Sequence, residues 1–152
     1  MVRHKQRYMV VQIIPQQFRE GSSFTLHSFA LHQAILSKVQ LLHGDFGCAA
    51  ITAGFAVKYF NEKTTIAIVR SRHGPHNLIT SVLPLIRSVD KKSVVLNNLY
   101  TGATLKQCFK YILHYQVEKV NEMYATLQTE QEKEDLKEAL INCKLHKLTK
   151  LG

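Results

Sequence analysis

The sequence has no tryptophan, and only three prolines and three cysteines among its 152 residues. Cys48, Cys108 and Cys143 are odd in number and far apart. They fit reduced core thiols, not a disulfide framework. No apolar run approaches the roughly 18 residues that a membrane-spanning helix needs. The basic start, Met1 to Arg7, runs straight into a strand-like segment without a small-residue cleavage site, so no secretory leader is expected. Phosphate-cradling glycine loops are missing too: neither GxGxxG nor GxxxxGK with a following Ser or Thr occurs after a strand. His73-x-x-His76 and Cys143-x-x-His146 have ligand-like spacing, but neither has a partner pair at zinc-site spacing. Carboxylates are sparse in the body: Glu20, Asp45, Glu62, Asp90, Glu118 and Glu122 stand apart, and a two-metal nuclease would want a cluster. Cys108 falls in the apolar stripe of a helix, which reads as a structural thiol and not a nucleophile. No catalytic residue, metal site or cofactor is expected.

Positive charge is what the chain has in excess: 20 Lys and Arg stand against 11 Asp and Glu, for a net +9. Residues 128–152 carry five acids and five bases, so the whole excess lies in residues 1–127. That division predicts a basic α/β domain over 1–127 and a charged helical tail over 128–152. With 45% apolar residues the body can build one ordinary core. A folded body this basic meets a polyanion: nucleic acid first, with an anionic membrane surface or an acidic protein as the alternatives.

Periodicity predicts strands at 7–14, about 49–60, 65–71 and 94–100. On the second of these, Ile51, Ala53, Phe55, Val57 and Tyr59 should face the core by alternation. A helix should run from Leu26, capped by Thr25, to Leu42 and end at Gly44. Another should follow Pro75 to about Val89, broken by Pro84. Thr101 to Thr104 should open a long last helix with Leu105, Phe109, Ile112, Val120, Met123 and Leu127 as its apolar stripe. The order β-α-β-β-α-β, then a long helix, is that of an α+β sandwich of the ferredoxin-like, RNA-recognition type.

Several basic groups suit RNA. Arg3, Lys5 and Arg7 form an alternating arm at the first strand, suited to phosphates. Arg70 and Arg72 share one face at the end of the third strand, with His73 and His76 beyond; two guanidiniums there can fork onto neighbouring phosphates. Lys106, Lys110 and His114 line one side of the last helix, flanked by Tyr111 and Tyr115. The run from Gly54 to Phe60 partly matches the stacking motif of RNA-recognition domains, but on the second strand, with Phe55 pointing inward and Lys58 outward.

These residues fall into blocks that resemble a known family. In order they are Met1-Val2-Arg3-x-Lys5-x-Arg7-Tyr8, His43-Gly44-x-Phe46-Gly47, and Gly54-Phe55-Ala56-Val57-Lys58-Tyr59-x-Asn61 with Thr65 and Arg70-x-Arg72. Leu83-Pro84-x-Ile86 follows, and then Gly102-x-Thr104-Leu105-Lys106-x-Cys108-x-Lys110-Tyr111-Ile112. From Arg3 to about Tyr115 the chain resembles the family of the fifth "processing of precursor RNAs" (POP) protein, the small subunit shared by ribonucleases P and MRP. The resemblance implies an α/β sandwich in a ribonucleoprotein whose RNA carries the catalytic site, acting on precursor tRNA and precursor rRNA. It also implies a TIM-barrel-like partner subunit, a smaller relative of the same fold as a second partner, and a nuclear and nucleolar location. Family tails are often acidic, and the balanced tail here departs from that. Two other readings stand beside it. One is a stand-alone RNA-binding domain of the RNA-recognition type. The other is a small-molecule-binding or enzymatic ferredoxin-like domain.

Overall fold

A computed structural model of the chain describes residues 5–17 and 24–138. Arg3, Cys143 and His146 lie outside the described residues. The chain divides into two compact units, Met1–Tyr111 and Ile112–Gly152.

In the first unit the elements are β1 (Gln6–Pro15), α1 (Ser28–Thr52), β2 (Ala56–Asn61), β3 (Ile66–Arg72), α2 (His76–Val82), a 3-10 turn (Leu83–Leu85), β4 (Ser88–Val89), β5 (Lys92–Gly102) and the first turns of α3 (Leu105–Thr126). Every strand pair is antiparallel, and the sheet order is β2-β3-β1-β5-β4. With the two-residue β4 set aside, the order 2-3-1-5 is the split βαβ arrangement of ferredoxin-like folds. β1 holds the middle because its apolar run is continuous: Met9, Val10, Val11 and Ile13 are all fully buried, which requires cover on both faces.

One face of the sheet carries Met9, Val11, Ile13, Ala67 and Val69, packed with Leu31, Ile35 and Val39 of α1 and Ile79 and Val82 of α2. Each of these side chains larger than Ala67 contributes about 1.5–3 kcal/mol by leaving water. The opposite face carries Val10, Ile66 and Ile68, also buried. There Cys108 of α3 is fully buried and donates its Sγ–H to the Tyr8 carbonyl at 3.5 Å, and Tyr111 stacks on Tyr100 at 4.7 Å. Burial pushes the Cys108 thiol up, against a smaller downward pull from the Gly102 backbone. Thr104 caps α3 by accepting the Gln107 N–H, while the Gln107 side chain takes the Ala103 N–H, an exchange of the capping-box kind.

The structure corrects four expectations. α1 does not end at Gly44: it bends there and runs on to Thr52. Gly44 has φ 65° and ψ −163°, a conformation open essentially to glycine alone, so the axis can turn and the helix resume through Cys48, Ala49 and Ala50. The following strand therefore starts at Ala56, not Ala49. The helix also lacks a Thr25 cap; His27 holds the cap position without a side-chain bond. Second, the register of β2 against β3 shifts between Val57 and Tyr59. A bulge at Lys58 turns Tyr59 onto the face of Ile68, away from the helices, and Phe60 onto the face of Ala67. Third, the helix after Pro75 breaks at Pro84 as expected, but the chain beyond the 3-10 turn forms a two-residue strand instead of helix up to Val89. Fourth, the buried stripe of α3 is narrower than expected: Cys108 and Ile112 are buried as the sequence placed them, whereas Leu105, Phe109 and Met123 are exposed.

The second unit contains the rest of α3 and a further helical run over 130–138. Several of its cations are matched locally by acids. His114 pairs with Glu118 at 3.3 Å, Lys119 with Glu122 at 2.8 Å and Lys133 with Glu130 at 3.7 Å. Lys133 and Lys137 also lie over the Tyr124 ring. No helix among the described residues is long and apolar enough to cross a membrane.

Candidate nucleic-acid interface

Antiparallel pairing of β1 with β3 gathers basic side chains at one end of the sheet. Tyr8 pairs with Arg70 and Gln6 with Arg72, so both arginines sit on the face away from α1 and α2. Arg7 pairs with Ser71 and takes the other face. Lys5 is tied in by its carbonyl, which accepts the His73 N–H at 2.8 Å. Arg7 lies inside β1, within the strand expected over 7–14, and Lys5 stands just ahead of it.

Gly54 holds the arginine pair in place. Its carbonyl accepts Arg70 Nε at 3.2 Å. Its φ of +121° suits glycine, and a Cβ there would stand 3.2 Å from Arg72 Cγ. The glycine thus fixes one guanidinium and leaves room for the stem of the other.

Two histidines border this cluster. His73 and His76 stack with ring centroids 5.4 Å apart, and the Gly74 N–H is donated to His76 Nδ1 at 3.1 Å. Burial first, then the charges of His73 and Arg7, hold His76 below the ordinary imidazole value of 6.5. The ring therefore sits neutral near pH 7, accepting from the backbone.

A second basic area lies along β2 and the start of α3. Lys58 is exposed on the bulge, and Lys106 and Lys110 are exposed on the first turns of the helix. They flank an edge-to-face contact between Tyr59 and Phe109, with centroids 5.8 Å apart. Lys58 and Tyr59 also line an open cleft of about 240 Å³ with His27 and Ser28. Phe55 is 7% exposed and stacks on His32 at 4.4 Å, so it belongs to the core as its alternation indicated. Sequence reasoning missed the exposed Tyr59–Phe109 pair, because only the bulge turns Tyr59 outward.

Among the described residues of the first unit no basic side chain makes an ion pair. Nor do three His, Cys, Asp or Glu side chains come together as a metal-holding group among the described residues. What the surface offers is uncompensated cations on a rigid sheet end and edge, which is the chemistry of phosphate contact.

Residues 7–113 match the model of the Rpp14/Pop5 family. The chain belongs to that family. The matched span runs from Arg7 through the first turns of α3 and takes in Lys58, Arg70, Arg72, Lys106 and Lys110; Lys5 lies just outside it. The ribonuclease P/MRP protein subunit POP5 of Danio rerio is 31% identical over 96% of this chain and 89% of its own length. The human subunit of the same name is 32% identical over 76% of this chain and 72% of its own. In a cryo-EM structure of yeast ribonuclease MRP, one chain overlays with a TM-score of 0.52 at 11% identity, covering 80% of this chain and 98% of that one. At that identity the overlay speaks for the fold of this family member.

Proposed function

We infer that this chain is a protein subunit of the ribonuclease P and ribonuclease MRP ribonucleoproteins, which process precursor tRNA by removing its 5′ leader and process precursor rRNA. Membership of the Rpp14/Pop5 family carries this reading, since the relatives matched over most of their length bear the name of that subunit. The chain's own part is non-catalytic support of an RNA-based endoribonuclease. Packed RNA helices repel one another through their phosphates. A small folded body with cations that no carboxylate neutralises lowers that repulsion and fixes the strands against each other. Lys5, Arg7, Arg70 and Arg72 at the sheet end, and Lys58, Lys106 and Lys110 along β2 and α3, are the side chains we assign to the catalytic RNA or to precursor tRNA held nearby. Arg3 joins them from outside the described residues. Two protein partners are proposed: a TIM-barrel-like subunit and a smaller relative of the same fold. The proposed location is the nucleus, and for the MRP enzyme the nucleolus.

The test is an affinity pull-down of the tagged chain from nuclear extract, with the co-purifying RNA sequenced. Recovery of the ribonuclease P and MRP RNAs, with precursor-tRNA cleavage in the eluate, is the expected result. A heterogeneous RNA population without those RNAs would reinstate the stand-alone RNA-binding domain.

A further inference from the structure

We propose that Tyr59 and Phe109 form a stacking site for an unpaired RNA base, with Lys58 taking the adjoining phosphate; this rests on the RNA-subunit reading above. In RNA-recognition domains bases stack on aromatics of the open sheet face. Here that face is closed: Cys108 is buried on it, Tyr111 stacks on Tyr100, and Phe55 is part of the helix-side core. An exposed ring is available instead at the sheet edge. β2 is an outer strand, and its bulge turns Tyr59 away from the core. Tyr59 remains 38% exposed and Phe109 47% exposed although the rings touch each other.

The pair is held in a fixed pose before any ligand arrives. Asn61 Nδ2 donates to Tyr59 Oη at 3.1 Å, and the Lys63 N–H is donated to Asn61 Oδ1 at 2.9 Å, which fixes the amide in turn. An edge-to-face pair also leaves ring surface open to a third planar group.

Charge identifies the occupant. Lys106 lies one helical turn before Phe109, Lys110 follows it, and Lys58 precedes Tyr59. Glu62, on the turn beyond Asn61, is the nearest acid in sequence, and Lys63 stands beside it. An apolar protein side chain has no use for cations around its seat, whereas a nucleotide brings a phosphate with each base.

The experiment compares an end-labelled oligouridylate with an RNA duplex of equal phosphate number, titrated by fluorescence anisotropy onto the full chain. Tyr59→Leu with Phe109→Leu should weaken oligouridylate binding roughly ten- to a hundred-fold, leave the duplex within about two-fold, and leave the salt slope of both unchanged. Lys58→Gln should instead reduce the salt slope by about one. Phe109→Tyr keeps two stacking rings and the Asn61–Tyr59 bond and should bind as the parent does, while an unchanged duplex affinity guards against a folding artefact in the leucine variant. Equal losses on both RNAs overturn the stacking site, as does no loss on either; in both cases the parent chain's binding leaves the wider reading intact. A leucine variant that binds both RNAs normally but fails to co-purify protein subunits makes the pair a protein seat and overturns it too. A parent chain that binds neither RNA overturns the stacking site, while the pull-down above decides the wider reading by itself.

Discussion

The two units handle charge in opposite ways. In the second, cations and carboxylates alternate along helices, and Lys119, Lys133 and His114 each find an acid one turn away. Lys119 is raised above its usual value chiefly by its hydrogen bond to Glu122. In the described part of the first, the acids are only Asp45, Glu62 and Asp90, and Asp45 is engaged by the Gln40 amide. The bases there have no carboxylate partner and stand on a sheet rim fixed by backbone pairing. Composition already sets them apart, with 14 Lys and Arg against four acids in the first unit and six lysines against seven acids in the second. The geometry adds the consequence: lysines paired with acids of their own helix need no external anion, whereas a rigid, unpaired rim repels itself until one binds.

The units differ equally in how they spend apolar surface, and this gives the largest contrast to test. Ile35→Ala, at a fully buried core position of the first unit, should cost about 2–5 kcal/mol in denaturant unfolding. Val117→Ala, on an exposed position of α3, should cost under about 0.5 kcal/mol. A cost at Val117 as large as that at Ile35 would mean that this helix face is packed in the free chain. RNA binding gives the next contrast. Arg70→Ala with Arg72→Ala should weaken binding by about ten-fold or more and lower the salt slope by one to two phosphates' worth, roughly. Loss of the Arg70–Gly54 bond adds a destabilisation of only about 0.5–1.5 kcal/mol, so the domain stays folded. Lys119→Gln with Lys133→Gln should leave the slope unchanged, because those lysines are already paired. Equal effects from the two double variants would erase the distinction between rim and helix.

Sequence reading reached the parts of the molecule that local pattern controls. β1, β3 and β5 announce themselves by apolar runs, and the alternation of Arg70 and Arg72 places both on one face without knowledge of any partner strand. The misses lie where distant parts of the chain decide. Ile51 and Thr52 favour strands by their branching, yet they close a helix that Gly44 had only bent. The facing of Tyr59 depends on how β2 registers against β3, and one extra residue reverses every side chain after it. The joining of Lys5 and Arg7 to the arginine pair depends likewise on β1 finding β3. Each block of the family pattern is local, which is why the family was legible where the stacking pair was not.

A backbone change tests whether the rim is held by the fold, as the comparison requires, or by the side chains alone. Gly54→Ala should destabilise the first unit by about 1–3 kcal/mol, since alanine tolerates a φ of +121° poorly and its Cβ would press on the Arg72 stem. RNA affinity should fall with it although no cation is removed. Calorimetric melting with parallel RNA titration reads both. A variant that melts lower yet binds RNA as before would uncouple the glycine from the arginines.

The smallest effect is a pH dependence confined to the rim. His76 titrates below 6.5 in the folded chain because burial, His73 and Arg7 disfavour its cation. On acidification the unfolded chain takes up this proton first. Stability should therefore fall as pH drops through 6.5 and level off below the lowered folded value; above 6.5 the contribution vanishes. His76→Gln should flatten that part of the melting profile between roughly pH 7.5 and 5. Bound RNA should reverse the sign, because a phosphate near Arg7 offsets the positive field and favours the imidazolium. Affinity for RNA should then rise on acidification in the parent chain and rise less in the glutamine variant. His114 in the second unit offers the control: its partner is Glu118 and no rim cation, so His114→Gln should leave the pH dependence of RNA affinity as it was. If the His114 variant flattens that dependence and the His76 variant does not, the anion-responsive region is the helix and the division drawn between the two units is wrong.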